Sequence, residues 1–168
     1  MERINELIAI LIAIQNFSKD IHYTCGGSAS FSKHLLADRV QDEIYDFIDG
    51  LKETCILGTF KEPLSSSEYL RRAMEIIPEV KKDDDYENFK VLSGLLLRGR
   101  RVCNDICSDT SYETGVNNIV GGIAEYLMNQ SGVVFLQVKP FIPTDDYMES
   151  VEDKVKEVEQ RYKNLIGM

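Results

Sequence analysis

The stretch HYTCGGSASFSKHLLAD, residues 22–38, closes one helical pattern and opens another across a glycine pair. It also holds both histidines of the chain, His22 and His34, with Asp38 four residues after the second. Upstream, apolar residues recur at Ile4, Leu7, Ile8, Leu11, Ile14, Phe17 and Ile21. Those intervals predict an amphipathic helix over about residues 3–23. Gly26-Gly27 is a stop signal, because glycine takes up the left-handed conformation at a helix end without steric penalty. Downstream, Ala37, Val40, Ile44, Phe47, Ile48, Leu51 and Cys55 again keep helical spacing. They predict a second helix that starts near Ser28 or Ser30 and runs to about Cys55.

Further along, a connector contains Pro63, and SSSEYLRRAMEII reads as a short helix. Ser65 and Glu68 have capping-box spacing, and Pro78 ends that segment. The charged run KKDDDYEN leads into a third long helix, about 84–108, with Phe89, Leu92, Leu95, Leu96, Val102 and Ile106 on its stripe. A fourth, about 112–138, carries Val116, Ile119, Val120, Ile123 and Leu127. Gly121-Gly122 in its middle either weaken it or permit close packing. KPFIPTDD breaks the chain before a fifth helix, about 145–166, with a narrow stripe at Val151, Val155, Val158, Tyr162 and Leu165. No segment reads convincingly as a strand. The expected fold is therefore all-α: a four-helix bundle over 1–138, with a short helix in the middle crossover, then a C-terminal extension over 139–168. Ferritin-like bundles place their long crossover at the same point.

Composition narrows the function classes. At 168 residues, 43% apolar and 28% charged, the chain is expected to be one soluble globular domain with a real core. The apolar run LIAILIAI is only eight residues, too short to span a bilayer. No basic segment precedes it and no small-residue cleavage site follows, so a cytoplasmic protein with no membrane partner is the simplest expectation. A formal net charge of −9 opposes nonspecific binding to nucleic acid and suits cation handling. Arg98, Arg100 and Arg101 form the only basic patch, and pairing with acidic neighbours explains it most simply. Cys25, Cys55, Cys103 and Cys107 form no CxxC pair, and plain burial is the simpler reading of the i,i+4 pair Cys103 and Cys107.

Four residues of the second segment stand out: His34, Asp38, Asp49 and Glu53. Each i,i+4 pair lies on one helix face, and the eleven residues from Asp38 to Asp49 are close to three whole turns. Histidine with carboxylates suits iron, manganese or zinc. The face they share points roughly 150° away from the apolar stripe, so a solvated polar surface accounts for the spacing equally well. Eleven helical residues span roughly 16 Å, too far for one pair of metal ions to touch both ends. A two-fold partner, with its second helix antiparallel, would set Asp49 and Glu53 against His34 and Asp38 of the other copy, making two identical sites per dimer. His22 would then lean in from the same chain as His34.

The series His22-Tyr23, Gly27, His34, Asp38, Asp49, Glu53 resembles the ferroxidase motif of the Dps-like miniferritins, the DNA-protecting proteins of starved cells. The motif covers 22–53, and the helix order extends a weaker resemblance to about residue 138. The resemblance implies that Asp49 and Glu53 of one subunit, with His22 of its two-fold mate, bind the tighter Fe(II). His34 and Asp38 of that mate would hold the second iron, with zinc or manganese able to substitute. Peroxide or dioxygen would oxidise the pair, and the carboxylates would favour Fe(III). Ferric product would mineralise inside a dodecameric shell, whose twelve chains carry a charge on the order of −100. Relatives often have Trp where this chain has Tyr23; Tyr23 or Tyr45 is the candidate substitute for absorbing stray oxidising equivalents. The basic tail by which several relatives bind DNA is absent, so strong nucleic-acid binding is not expected. Asp83-Asp84-Asp85 and Asp145-Asp146 are candidates for ion-entry pores, although loop and helix-cap roles explain them more simply. The competing readings are a non-catalytic structural bundle with a structural metal, and a DNA-compacting protein.

Overall fold

A computed structural model describes residues 1–27 and 29–139; the fifth helix and Asp145-Asp146 lie outside them. The described residues form an all-helical bundle without a strand. Helix α1 spans Glu2–Thr24, α2 Ser30–Gln41 and α3 Ile44–Gly50. From α3 the chain passes into a π-helical turn, Leu51–Ile56, and a 3-10 turn, Leu57–Thr59. Helix α4 is Ser66–Met74, α5 Asp85–Cys107 and α6 Thr114–Val138. Helix α1 packs against α2, α4 and α5; α5 lies along α6, and α6 closes against α3 and the π turn.

The predicted stripe of α1 is one-sided, yet its burial runs almost all round. Ile4, Leu7, Ile8, Leu11, Ile14, Phe17 and Ile21 are fully buried, and so are Ile10 and Ala13. The crossover helix α4 provides a second cover, with Tyr69 and Ala73 buried. The Tyr69 hydroxyl donates to Asn5 Oδ1 at 2.7 Å, which satisfies a polar pair inside that contact. Each buried Leu or Ile contributes about 1.5–3 kcal/mol relative to exposure, so the doubly covered α1 is the anchor of the core.

Local signals behave as their chemistry requires. Ser65 caps α4, its hydroxyl accepting from Glu68 N at 3.2 Å. Glu68 does not reach back to complete the box. It turns to Arg71 and Arg72, whose hydrogen bonds bring its carboxyl down to about 2. Asp84 caps α5, accepting from Glu87 N at 3.0 Å. Arg98 pairs with Glu6 across the α5–α1 contact. Close packing falls at Gly99 rather than at Gly121-Gly122. A Cβ on Gly99 would stand 2.8 Å from Leu127 Cδ1, whereas nothing lies within 4 Å of one on Gly121 or Gly122. Cys103 is fully buried and Cys107 exposed. Helix α6 is long and apolar enough, by length and composition alone, to cross a membrane; its inward face here is part of the core.

The second predicted helix is not continuous. It breaks between Gln41 and Ile44, and the cause is a distant side chain. The Tyr126 hydroxyl on α6 donates toward Arg39 O at 3.0 Å and Val40 O at 3.2 Å. Those carbonyls would otherwise accept from the next helical turn. A hydroxyl inserted into the i→i−4 ladder interrupts it. Burial pushes the Tyr126 phenol up to about 12.

Candidate metal centre

The α1–α2 turn places the histidines. Cys25 is extended, Gly27 has φ +69° and Ala29 φ 59°, so two left-handed residues reverse the chain within a short span. Helix α1 then ends beside the second turn of α2. The two imidazoles stack there, with centroids 3.6 Å apart and planes inclined by 29°.

Each ring is tied to the backbone of the other residue. His34 Nδ1 lies 2.8 Å from His22 O, and His22 Nδ1 lies 3.3 Å from His34 O. A carbonyl oxygen only accepts, so the facing nitrogen of each ring must carry the proton. Both neutral imidazoles are thereby fixed as the Nδ1–H tautomer, with the lone pair on Nε2. No hydrogen bond reaches either Nε2 among the described residues. Metal-ligating histidines are oriented in this way, by a carbonyl or carboxylate on the nitrogen that does not bind. His22 O also belongs to the last turn of α1, where carbonyls lack helical partners, so His34 caps that helix as well.

Asp38 joins this group loosely. Its Oδ1 is 3.6 Å from His22 Nδ1 and accepts from Gln41 Nε2 at 2.7 Å, and the carboxylate is 54% exposed. Asp49, on α3, and Glu53, on the π turn, are exposed and have no hydrogen bond or ion pair among the described residues. The chain thus brings His22, His34 and Asp38 together and leaves Asp49 and Glu53 apart. Among the described residues, no group of three or more His, Cys, Asp or Glu side chains is arranged to hold a metal ion. The break at Gln41–Ile44 and the wider i→i+5 turn at Leu51–Ile56 also mean that the two carboxylates do not follow Asp38 at ideal α-helical angles.

The sequence marked Tyr23 and Tyr45 but not the exposed Phe31 and Leu35 on the same stretch of chain. Tyr23 (70% exposed), Phe31 (73%), Leu35 and Tyr45 all stand out of the core. Phe31 and Leu35 lie off the predicted apolar stripe of their helix, which was the available signal. Tyr23 meets the His22 ring edge-on, with centroids 5.0 Å apart. Cys55, two residues after Glu53, is buried, and burial pushes its thiol up to about 11, which suits packing and not redox exchange. No family model, no curated protein and no solved structure matches this sequence.

Proposed function

We propose that the protein is a ferroxidase and iron store of the Dps-like miniferritin kind, which oxidises Fe(II) at two symmetric sites between two copies of the chain. The observation that carries this reading is the reciprocal tie between His22 and His34, which leaves both Nε2 lone pairs free on preoriented rings. Two further features support it. Asp49 and Glu53 are carboxylates without side-chain partners among the described residues, and the exposed Tyr23, Phe31, Leu35 and Tyr45 offer apolar surface for a second copy to cover. The long crossover that carries α4, between the second and third long segments, is compatible with the connectivity of a ferritin-like bundle.

In this mechanism His22 and the mate's carboxylates, equivalent to Asp49 and Glu53, bind one Fe(II). His34 and Asp38 take the second. Each Fe(II) gives one electron to a peroxide; the O–O bond breaks, and two protons complete two waters. The carboxylates stabilise the extra positive charge of Fe(III) more than that of Fe(II). Zinc or manganese would occupy the same donors without this turnover. Assembly into a dodecamer, a cytoplasmic location and weak nucleic-acid binding complete the proposal, the last from the net charge of −9.

A structural reading has one observation in its favour: His34 caps α1, so the pair would serve a non-catalytic bundle too. Fe(II) with peroxide separates the two. Fast ferric absorbance in the wild type, abolished in Glu53→Ala and His22→Ala, supports the ferroxidase. Equal rates in the wild type and in the double variant leave only the structural clasp. Native mass near twelve chains supports the shell, and a monomer breaks the two-copy site.

A further inference from the structure

The α1–α2 turn is held from outside as well as from within. Asp85, the first residue of α5, accepts from Lys33 Nζ at 2.8 Å and from the Gly26 backbone N–H at 3.4 Å, both through Oδ2. Lys33 Nζ also donates to Gly26 O at 3.4 Å. Lys33 directly precedes His34, and Gly26 follows His22 by four residues. A three-point clamp therefore joins the histidine turn to a helix more than fifty residues away in the chain.

This ion pair is the most enclosed in the described part of the protein. Its side chains are 23% and 15% exposed, whereas every other acid–base pair there keeps at least one partner above 30%. Low exposure limits screening by salt, so the pair holds geometry better than a surface bridge does. The turn needs such a hold. Its conformation rests on Gly27 and Ala29, both left-handed, and Ala29 pays strain for that conformation. Cutting the clamp removes the only side-chain bonds that tie the Gly26 backbone to the body of the bundle among the described residues.

We propose that Asp85, through Lys33 and Gly26, is a positioning residue for the His22–His34 pair. It touches no donor atom of the centre. It fixes the turn whose shape sets the carbonyl ties, and so keeps both Nε2 atoms in their metal-binding orientation. The proposal rests on the metal-centre reading above.

Zinc(II) is the redox-silent probe, titrated calorimetrically into the full chain, with tautomer populations read from imidazole nitrogen NMR. Asp85→Asn weakens zinc binding by about tenfold, the lower end of the usual effect of removing a residue that supports metal ligands. Lys33→Met does the same, and the double variant is no worse than either single one, because both cut one link. Asp85→Glu restores most of the affinity. Asp83→Asn, in the same loop but outside the clamp, leaves it unchanged, which separates positioning from a general loss of negative charge. In metal-free Asp85→Asn, the Nδ1–H signals of His22 and His34 give way to mixed tautomers at unchanged helix content. Wild-type affinity and wild-type tautomers in Asp85→Asn overturn the proposal. If the wild type binds no zinc, the metal-centre reading fails, and the tautomer signals alone then decide whether the clamp positions the pair.

Discussion

At the α1–α2 turn each imidazole is half-buried and tied to a backbone carbonyl; on α3 and the π turn, Asp49 and Glu53 stand in solvent with no partner among the described residues. The first region spends its hydrogen bonds on itself and would keep its shape in an isolated chain. The second has no side-chain bond among the described residues to orient it. On the proposed two-copy reading, the preorganised donors of one copy would meet carboxylates that gain partners only when the second copy arrives. The contrast also separates stability from chemistry, because substitutions on the two sides should affect them differently.

The largest effect is expected on the free side. Asp49→Asn with Glu53→Gln should slow iron oxidation by on the order of a hundredfold or more. Thermal stability should stay within about 0.5 kcal/mol, because neither side chain bonds another group among the described residues. Stopped-flow ferric absorbance and a thermal melt on the same samples check both halves of that statement; a large loss of stability would mean the carboxylates are not free. Next comes the joint between the regions. Tyr126→Phe removes the hydroxyl proton shared between Arg39 O and Val40 O and should destabilise the fold by about 1–3 kcal/mol in denaturant titration. A stability equal to the wild type's would show that the hydroxyl does not cause the helix break.

Phe31→Glu should raise the dissociation constant of the proposed two-fold dimer at least about tenfold in sedimentation, with the helix content unchanged, because it sets a charge into surface that the proposed interface would bury. No change in association would put the apolar rim outside the interface. The smallest change in stability is expected on the rigid side. His34→Ala should lose about 1 kcal/mol of stability together with iron oxidation, as it removes a helix cap and a donor at once. Loss of activity at full stability would show that the carbonyl tie does not hold the fold.

The extent of the bundle was readable from spacing. The stripes of α1, α5 and α6, the glycine stop at residue 26 and the Ser65 cap all depend on residues near in sequence, and local chemistry dictates them. The broken second helix was not readable, because Tyr126 acts on it from 86 and 87 positions away. The spacing of His22 and His34 announced that they would meet, but their actual partners are backbone carbonyls, which leave no mark in a sequence. The Lys33–Asp85 clamp was hidden for the same reason as Tyr126. In the acidic run 83–85, nothing in the sequence distinguishes the residue that meets Lys33 from its two neighbours.

The carbonyl swap between His22 and His34 has a consequence for how the chain meets metal while it folds. In an unfolded chain either nitrogen of each ring can carry the proton, and the two rings are separate, weak donors. Closing the α1–α2 hairpin, a contact between residues only twelve apart, selects one tautomer at both. Any ion that prefers the closed hairpin then stabilises the native state in proportion to that preference. On the proposed reading, iron would act on this protein as a folding ligand as well as a substrate, and chains that had not closed the hairpin would compete poorly for it.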